Sequence, residues 1–180
     1  ETAGFLVRRG ARTICPPVEL SLARIGAIAE GCRQAEFEVF AFGRLPLALS
    51  GRCYHARLHG LHKDSCQFTC EQDADGLLVE TLDDQAFLAI NGVQTLSASV
   101  QALIVTANDL PAQGIRRLRL SPQTCDMVAV ARVYRSVLDG AEDPEAARIR
   151  LSELSLPGPL VDGYAHGRPG AAPAPQAIIG

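Results

Sequence analysis

Three of the chain's six cysteines fall inside one eighteen-residue stretch: Cys53, Cys66 and Cys70, spaced Cys-x12-Cys-x3-Cys within GRCYHARLHGLHKDSCQFTCEQDADG. A fold that carries this stretch must bend one loop back on itself and find further donors at a distance. Thiols this dense, in a sequence with no charged-then-apolar leader, read as metal ligands before disulfide partners, in a reducing, cytoplasmic compartment. The paired CxxC knuckles of a zinc ribbon are missing, so a fourth ligand has to come from elsewhere. An iron–sulfur cluster and a zinc site both stay open, and His55, His59 or His62 could complete the second. His55 and His59 share a face if residues 53–60 are helical. Cys15, Cys32 and Cys125 sit within strand or helix patterns and read as small buried hydrophobes.

With 47% hydrophobic and 21% charged residues over 180 positions, the sequence reads as a globular chain able to bury one sizeable core. A net charge of −3 gives no overall pull toward nucleic acid, and no apolar run approaches the roughly 20 residues that cross a bilayer. Around the thiols the balance reverses. From Arg52 to Lys63 there are three cations (Arg52, Arg57, Lys63), three histidines and no acid. Such a patch suits an anionic cluster or an anionic substrate; the plainer alternative is a solvated loop.

Residues 2–9 read as a helix closed by Gly10, residues 11–15 as a short strand stopped by Pro16-Pro17, and Glu19–Ala29 as a second helix. EFEVFAF (36–42) alternates strictly, which predicts a strand. The cysteine-rich loop then runs over 43–76, and Leu77–Glu80 with Phe87–Ile90 predicts a small β-hairpin insertion belonging to it. Gln94–Ser97 predicts a strand, 99–110 a helix and Ile115–Leu120 a strand. Cys125–Leu138 predicts a helix with Val128, Ala131, Val133 and Val137 toward the core, and Pro144–Leu154 a last one. Proline and glycine over 156–180 predict an irregular, mobile C-terminal tail. Strands near 12, 38, 95 and 117, alternating with helices, imply an α/β fold of parallel (β/α) units. Four units make an open sheet or the second half of a TIM-like barrel, which as a whole takes about 250 residues. The leading helix favours the half-barrel, spanning 1–155.

Other chemistries find little purchase. The sequence has no Gly-x-Ser-x-Gly elbow, no His-Glu-x-x-His and no phosphate-cradling glycine loop. Glu38 lies near the end of its strand, where parallel α/β folds place active sites. It is a candidate acid/base or ligand-orienting group, or else the partner of Arg119 in an internal ion pair.

The run EVFAFGRLPLALSGRCYHARLHGLHKDSCQFTCEQDADGLLVETLDDQAFLAINGVQTLSA resembles the collagenase-like peptidase family, as do ICPPVELSL near the start, RLRLSPQ at 117–123 and DGYAHGRPG at 162–170. The family's Glu-x-Phe-x-x-Gly element stands as Glu38, Phe40 and Gly43, followed by Ser50-Gly51-Arg52-Cys53. Pro46 stands where general members carry another cysteine, a departure shared with the branch that serves oxygen-independent hydroxylation in ubiquinone biosynthesis. That resemblance implies a 4Fe–4S cluster on Cys53, Cys66 and Cys70, with the fourth cysteine in an N-terminal half outside this sequence. It implies a heterodimer with a UbiU-like paralogous subunit, a sterol-carrier-type lipid-binding accessory protein, and a ubiquinone precursor as substrate. Prephenate is implicated as hydroxyl donor in the wider group, and Glu38, Arg52, Arg57 and Lys63 become substrate-binding candidates. An apolar sheet edge should be exposed where the other barrel units would pack. A zinc-stabilised scaffold or binding subunit and a true collagenase-like peptidase are the alternatives.

Overall fold

The computed structural model describes residues 1–110 and 114–173. Its central strand is β2, Glu36–Leu49. The alternation of EFEVFAF buries Phe37, Val39 and Ala41 on one face and leaves Glu36, Glu38 and Phe40 on the other. Strands β1 (Thr13–Ile14) and β6 (Ile115–Leu120) run parallel to the first half of β2. Strand β5 (Gln94–Ala102) runs antiparallel to its second half, from Phe42 to Leu49. Strands β4 (Ala86–Asn91) and β3 (Leu77–Glu80) extend the sheet antiparallel beyond β5, and β7 (Leu160–Val161) lies parallel to β5. One mixed, open, seven-stranded sheet results. The α/β class stands, but the strand that begins at Gln94 was expected to run parallel to its neighbour and runs the other way.

Among the described residues five α-helices accompany the sheet: α1 (Thr2–Arg8), α2 (Leu22–Glu30), α3 (Tyr54–Leu58), α4 (Met127–Leu138) and α5 (Pro144–Ser152). The Asp126 carboxylate caps α4 by accepting from the Val128 and Ala129 amides at 3.0 and 2.9 Å. Asp143 does the same for α5, with Pro144 at the first helical position. Ile25 and Ala29 of α2, Val130, Val133 and Val137 of α4, and Ala147 and Leu151 of α5 join Phe37, Val39 and Ala41 in one core. Tyr134 closes it: the hydroxyl donates to the Ala41 carbonyl at 2.9 Å and the ring stands edge-on to Phe42. Burial pushes this phenol far above its ordinary range.

Several expectations shift. Strand β2 runs seven residues past Phe42, carried by its antiparallel pairing with β5, and the unbroken burial of Phe42–Leu45 erases the alternation that marked its beginning. No helix forms over 99–110. Residues 99–102 complete β5, and the β-branched run through Val100, Ile104, Val105 and Thr106 favours extended chain; Pro111 itself lies outside the described residues. On α4 the buried set is Val130, Val133, Tyr134 and Val137, while Val128 and Ala131 face outward. At Gly43 the backbone takes φ +116°, and a Cβ there would meet the Ser121 Cβ at 2.8 Å. Only glycine lets β2 pass the end of β6 this closely.

The segment after residue 156 is built into the fold up to residue 173; residues 174–180 of the expected tail lie outside the described residues. Arg44, buried, donates to the carbonyls of Ser97, Ala98 and Pro157 at 2.5–2.8 Å and so fastens the segment to β5. Asp162, 2% exposed, receives Arg148 at 3.0 Å, His166 at 3.2 Å and Arg168 at 3.9 Å. A Cβ on Gly163 would fall 1.8 Å from the Pro169 carbonyl oxygen. The motif DGYAHGRPG is thus a folded clasp around one carboxylate. Among the described residues β6 pairs only with β2, and a groove of about 680 Å³ lined by Leu118, Leu120, Val128, Leu138 and the arginines Arg116, Arg132 and Arg135 opens beside it. No helix among the described residues is long and apolar enough to cross a membrane.

Replacing Asp162 by alanine strands Arg148 in the interior, and breaking a buried ion pair on one side typically costs about 3–5 kcal/mol. Urea titration of Asp162→Ala is expected to show a loss of that size with an unchanged slope. A loss under 1 kcal/mol would contradict the clasp.

Candidate functional site: the cysteine loop

Residues 50–76 leave the end of β2, lie against the turn between β4 and β5, and return into β3. The Ser50 amide donates to the Val93 carbonyl at 2.8 Å, and Asn91 reaches the Ala74 carbonyl at 3.2 Å. Asp75 ties the loop's far end to the segment after β6, accepting from the Thr124 amide at 2.9 Å and from the Thr124 hydroxyl. This clasp sets the loop beside the carboxyl end of a parallel strand, the position at which α/β sheets bind ligands.

Each cysteine of the trio sits at the start, end or middle of a short helical piece. Cys53 caps α3, its sulfur accepting the Ala56 amide at 3.4 Å, and is buried. Cys66 ends the 3-10 turn Lys63–Ser65, and Cys70 lies within the 3-10 turn Thr69–Gln72; both are half-buried. All six cysteines are free thiols. Between Cys66 and Cys70 both Gln67 and Phe68 take φ +53°, a left-handed conformation that side chains of this size adopt only under constraint. The Thr69 hydroxyl beside them is buried with no hydrogen-bond partner. Among the described residues no group of three or more His, Cys, Asp or Glu side chains is drawn together around a metal ion. Cysteine sulfur is the donor type that iron–sulfur groups take, and the loop carries three such side chains on separate short elements.

His55 does not serve the zinc reading. Its ring is 1% exposed and both nitrogens are engaged: Nδ1 accepts the Gly92 amide at 3.1 Å, and Nε2 faces the Asp73 carboxylate at 3.1 Å. His59 and His62 are exposed. Of the three cations, Lys63 pairs with its neighbour Asp64 at 3.1 Å, whereas Arg52 and Arg57 are exposed and have no carboxylate partner among the described residues.

Glu38 takes the ion pair. Arg119 Nε donates to its carboxylate at 2.6 Å, and one register step away Arg117 holds Glu36 through two bonds at 2.8–3.0 Å. Cys15, expected in the core, is exposed instead: its thiol lies 3.6 Å from both Glu38 and Arg119 at the edge of a cleft of about 400 Å³ walled by Pro16, Pro17, Phe40 and Pro46. As the last residue before two prolines, at the end of a two-residue strand, it has no helix above it to bury it. Cys32 is buried as expected and Cys125 half-buried. Neither these two nor Cys15 joins the trio in a group able to hold a metal ion.

Of the residues that hold the loop, the sequence singles out His55 as a possible zinc ligand, not as an anchor. The Asn91-Gly92 pair after an apolar strand is a legible turn signal, but nothing in it points to His55. Asp73 and Asp75 gain their partners, His55 and Thr124, only in the fold.

Sheet and loop together define a mixed α/β protein carrying a thiol-rich, cation-bearing loop. The chain belongs to peptidase family U32, whose family model matches residues 1–173. No solved structure matches it.

Partial burial and the Glu38 carboxylate raise the Cys15 thiol, only partly offset by Arg119. Its alkylation rate should therefore reach half-maximum above the ordinary thiol range near 8.5. In Glu38→Gln the midpoint is expected to move down in pH, because a group that opposes the thiolate is gone. A midpoint that stays put or rises would contradict the assigned pair.

Proposed function

We propose that the chain is a UbiV-like iron–sulfur subunit of an oxygen-independent hydroxylation system in ubiquinone biosynthesis, acting with a UbiU-like paralogue. In this reading β1, β2 and β6 belong to the second half of a TIM-like barrel, and the 4Fe–4S cluster takes Cys53, Cys66 and Cys70 with a fourth thiolate from outside this sequence. The observation that carries the reading is the loop itself: three free thiols on three short elements, with a strained Gln67-Phe68 link and an orphaned Thr69 hydroxyl between two of them. When bound, the cluster supplies one-electron chemistry or a Lewis-acidic iron. The chain's own residues supply the setting. Arg52 and Arg57, exposed and free of carboxylates, offer an anionic hydroxyl donor of the prephenate kind two charged hydrogen-bonding forks. Glu38, paired with Arg119, offers a polar contact near the start of β2 and not at the strand's end, where the sequence had put it. A ubiquinone precursor carries a long prenyl tail, and a sterol-carrier-type accessory protein would present it.

Peptidase chemistry has less support despite the family's name. Among the described residues no serine or cysteine side chain is hydrogen-bonded to a histidine, the pairing that activates a nucleophile. His55 is committed to Gly92 and Asp73, and His166 to Asp162.

Iron and acid-labile sulfide should be measured in the full-length protein purified without oxygen, beside Cys66→Ser. About four of each per chain, falling steeply in the variant, is the expected result. Zinc in place of iron would turn the loop into a structural scaffold. Gelatin hydrolysis that survives replacement of all three cysteines would make the protein a peptidase.

A further inference from the structure

We propose that His55 is the positioning residue that sets Cys53 and Cys70 relative to one another; the inference rests on those two thiols being cluster ligands. Helix α3 has five residues, too few to hold itself in water. Its outward residues Tyr54, Arg57 and Leu58 are exposed, and only His55 and Ala56 are buried. Ala56 offers a methyl group. The hold on the helix that carries Cys53 at its cap therefore falls to the His55 ring.

That ring joins three separate pieces of chain. Its Nδ1 accepts the Gly92 amide in the β4–β5 turn, which places the ring proton on Nε2, toward Asp73. Asp73 closes the 3-10 turn that contains Cys70, and its own amide donates to the Cys70 carbonyl at 3.2 Å. Gly92 meets the same cysteine from the other side: a Cβ built on it would stand 3.8 Å from the Cys70 sulfur. A continuous path thus runs from Cys53 through His55 to Cys70 by two routes, one through Asp73 and one through Gly92. Cys66 lies off both routes, on the strained side of the Gln67-Phe68 link. His55 is not a ligand; it holds the pieces on which two ligands ride, as outer residues orient metal ligands elsewhere.

The test begins with metal-free protein, so that it does not depend on cluster content. Alkylation rates of the individual cysteines are read by peptide mass spectrometry in wild type, His55→Ala, His55→Asn and Asp73→Ala. Cys32, buried in the main core, is the internal control for global opening. In His55→Ala the Cys53 rate is expected to rise about tenfold or more, from loss of a buried hydrogen-bonding anchor, with Cys32 unchanged. Asp73→Ala should free Cys70 more than Cys53. The amide oxygen of His55→Asn can take the Gly92 N–H, so this variant should recover part of the protection at Cys53. After reconstitution with iron and sulfide, the alanine variant should show an altered electron paramagnetic resonance signal in the reduced state. Unchanged Cys53 protection in His55→Ala would overturn the proposal. An equal rise at Cys32 would also overturn it, because His55 would then serve the whole fold. Wild-type protein that takes up no iron would instead defeat the cluster reading and leave the thiol result standing as evidence of how the loop is anchored.

Discussion

Strand β2 changes partners partway along its length, and the rest of the molecule follows from that change. Up to Phe42 it is the middle of a parallel set with β1 and β6; beyond Phe42 it is one side of an antiparallel pair with β5. The pivot is Gly43, whose positive φ lets the strand twist past Ser121 where any side chain would collide. With the pivot in place, β2 overshoots the parallel sheet and delivers the cysteine loop to the β4–β5 turn. The hairpin β3–β4 is then the return path, a platform that receives the loop rather than an ornament on it.

The loop's own stability is almost wholly borrowed. It contains one five-residue helix and two 3-10 turns, none able to persist alone, and its exposed Phe68, Leu58 and Tyr54 contribute little burial. What holds it are polar contacts to neighbours: His55 to Gly92 and Asp73, Asp75 to Thr124, Ser50 to Val93. Contacts of this kind fix geometry at modest net stabilisation. They leave the thiol-bearing turns less firmly held than the core.

Much of the frame was legible in the residues. EFEVFAF became the first half of β2, its period of two kept by one buried and one wetter face, while IRRLRL and the apolar pair around Leu82-Asp83-Asp84-Gln85 became β6 and the β3–β4 hairpin with small boundary changes. Where burial stops alternating the signal vanished: the second half of β2, buried over Phe42–Leu45 and exposed over Pro46–Leu49, was read as loop, and the end of β5, buried over Val100–Ala102, as helix. Strand direction was equally hidden, since alternation of strands and helices does not reveal that Gln94–Ala102 pairs antiparallel with β2. In the site, the dense thiols and free arginines announced themselves by type and spacing. The Glu38–Arg119 pair was one of two open readings and is the one formed. Cys15 was misjudged because the strand β1 stops at Ile14 and leaves it in the turn before Pro16-Pro17, exposed. The DGYAHGRPG clasp looked like mobile tail, since its order comes from a single buried carboxylate rather than from periodicity.

The central claim is that Cys53, Cys66 and Cys70 hold iron through sulfur. It is tested most directly by the Mössbauer spectrum of full-length protein grown on iron-57 and purified without oxygen. The account predicts the quadrupole doublets of iron tetrahedrally bound by sulfur with valence shared within the cluster, lost when the three cysteines are replaced. A spectrum showing only iron bound through oxygen and nitrogen, or iron signals indifferent to those cysteines, would contradict it.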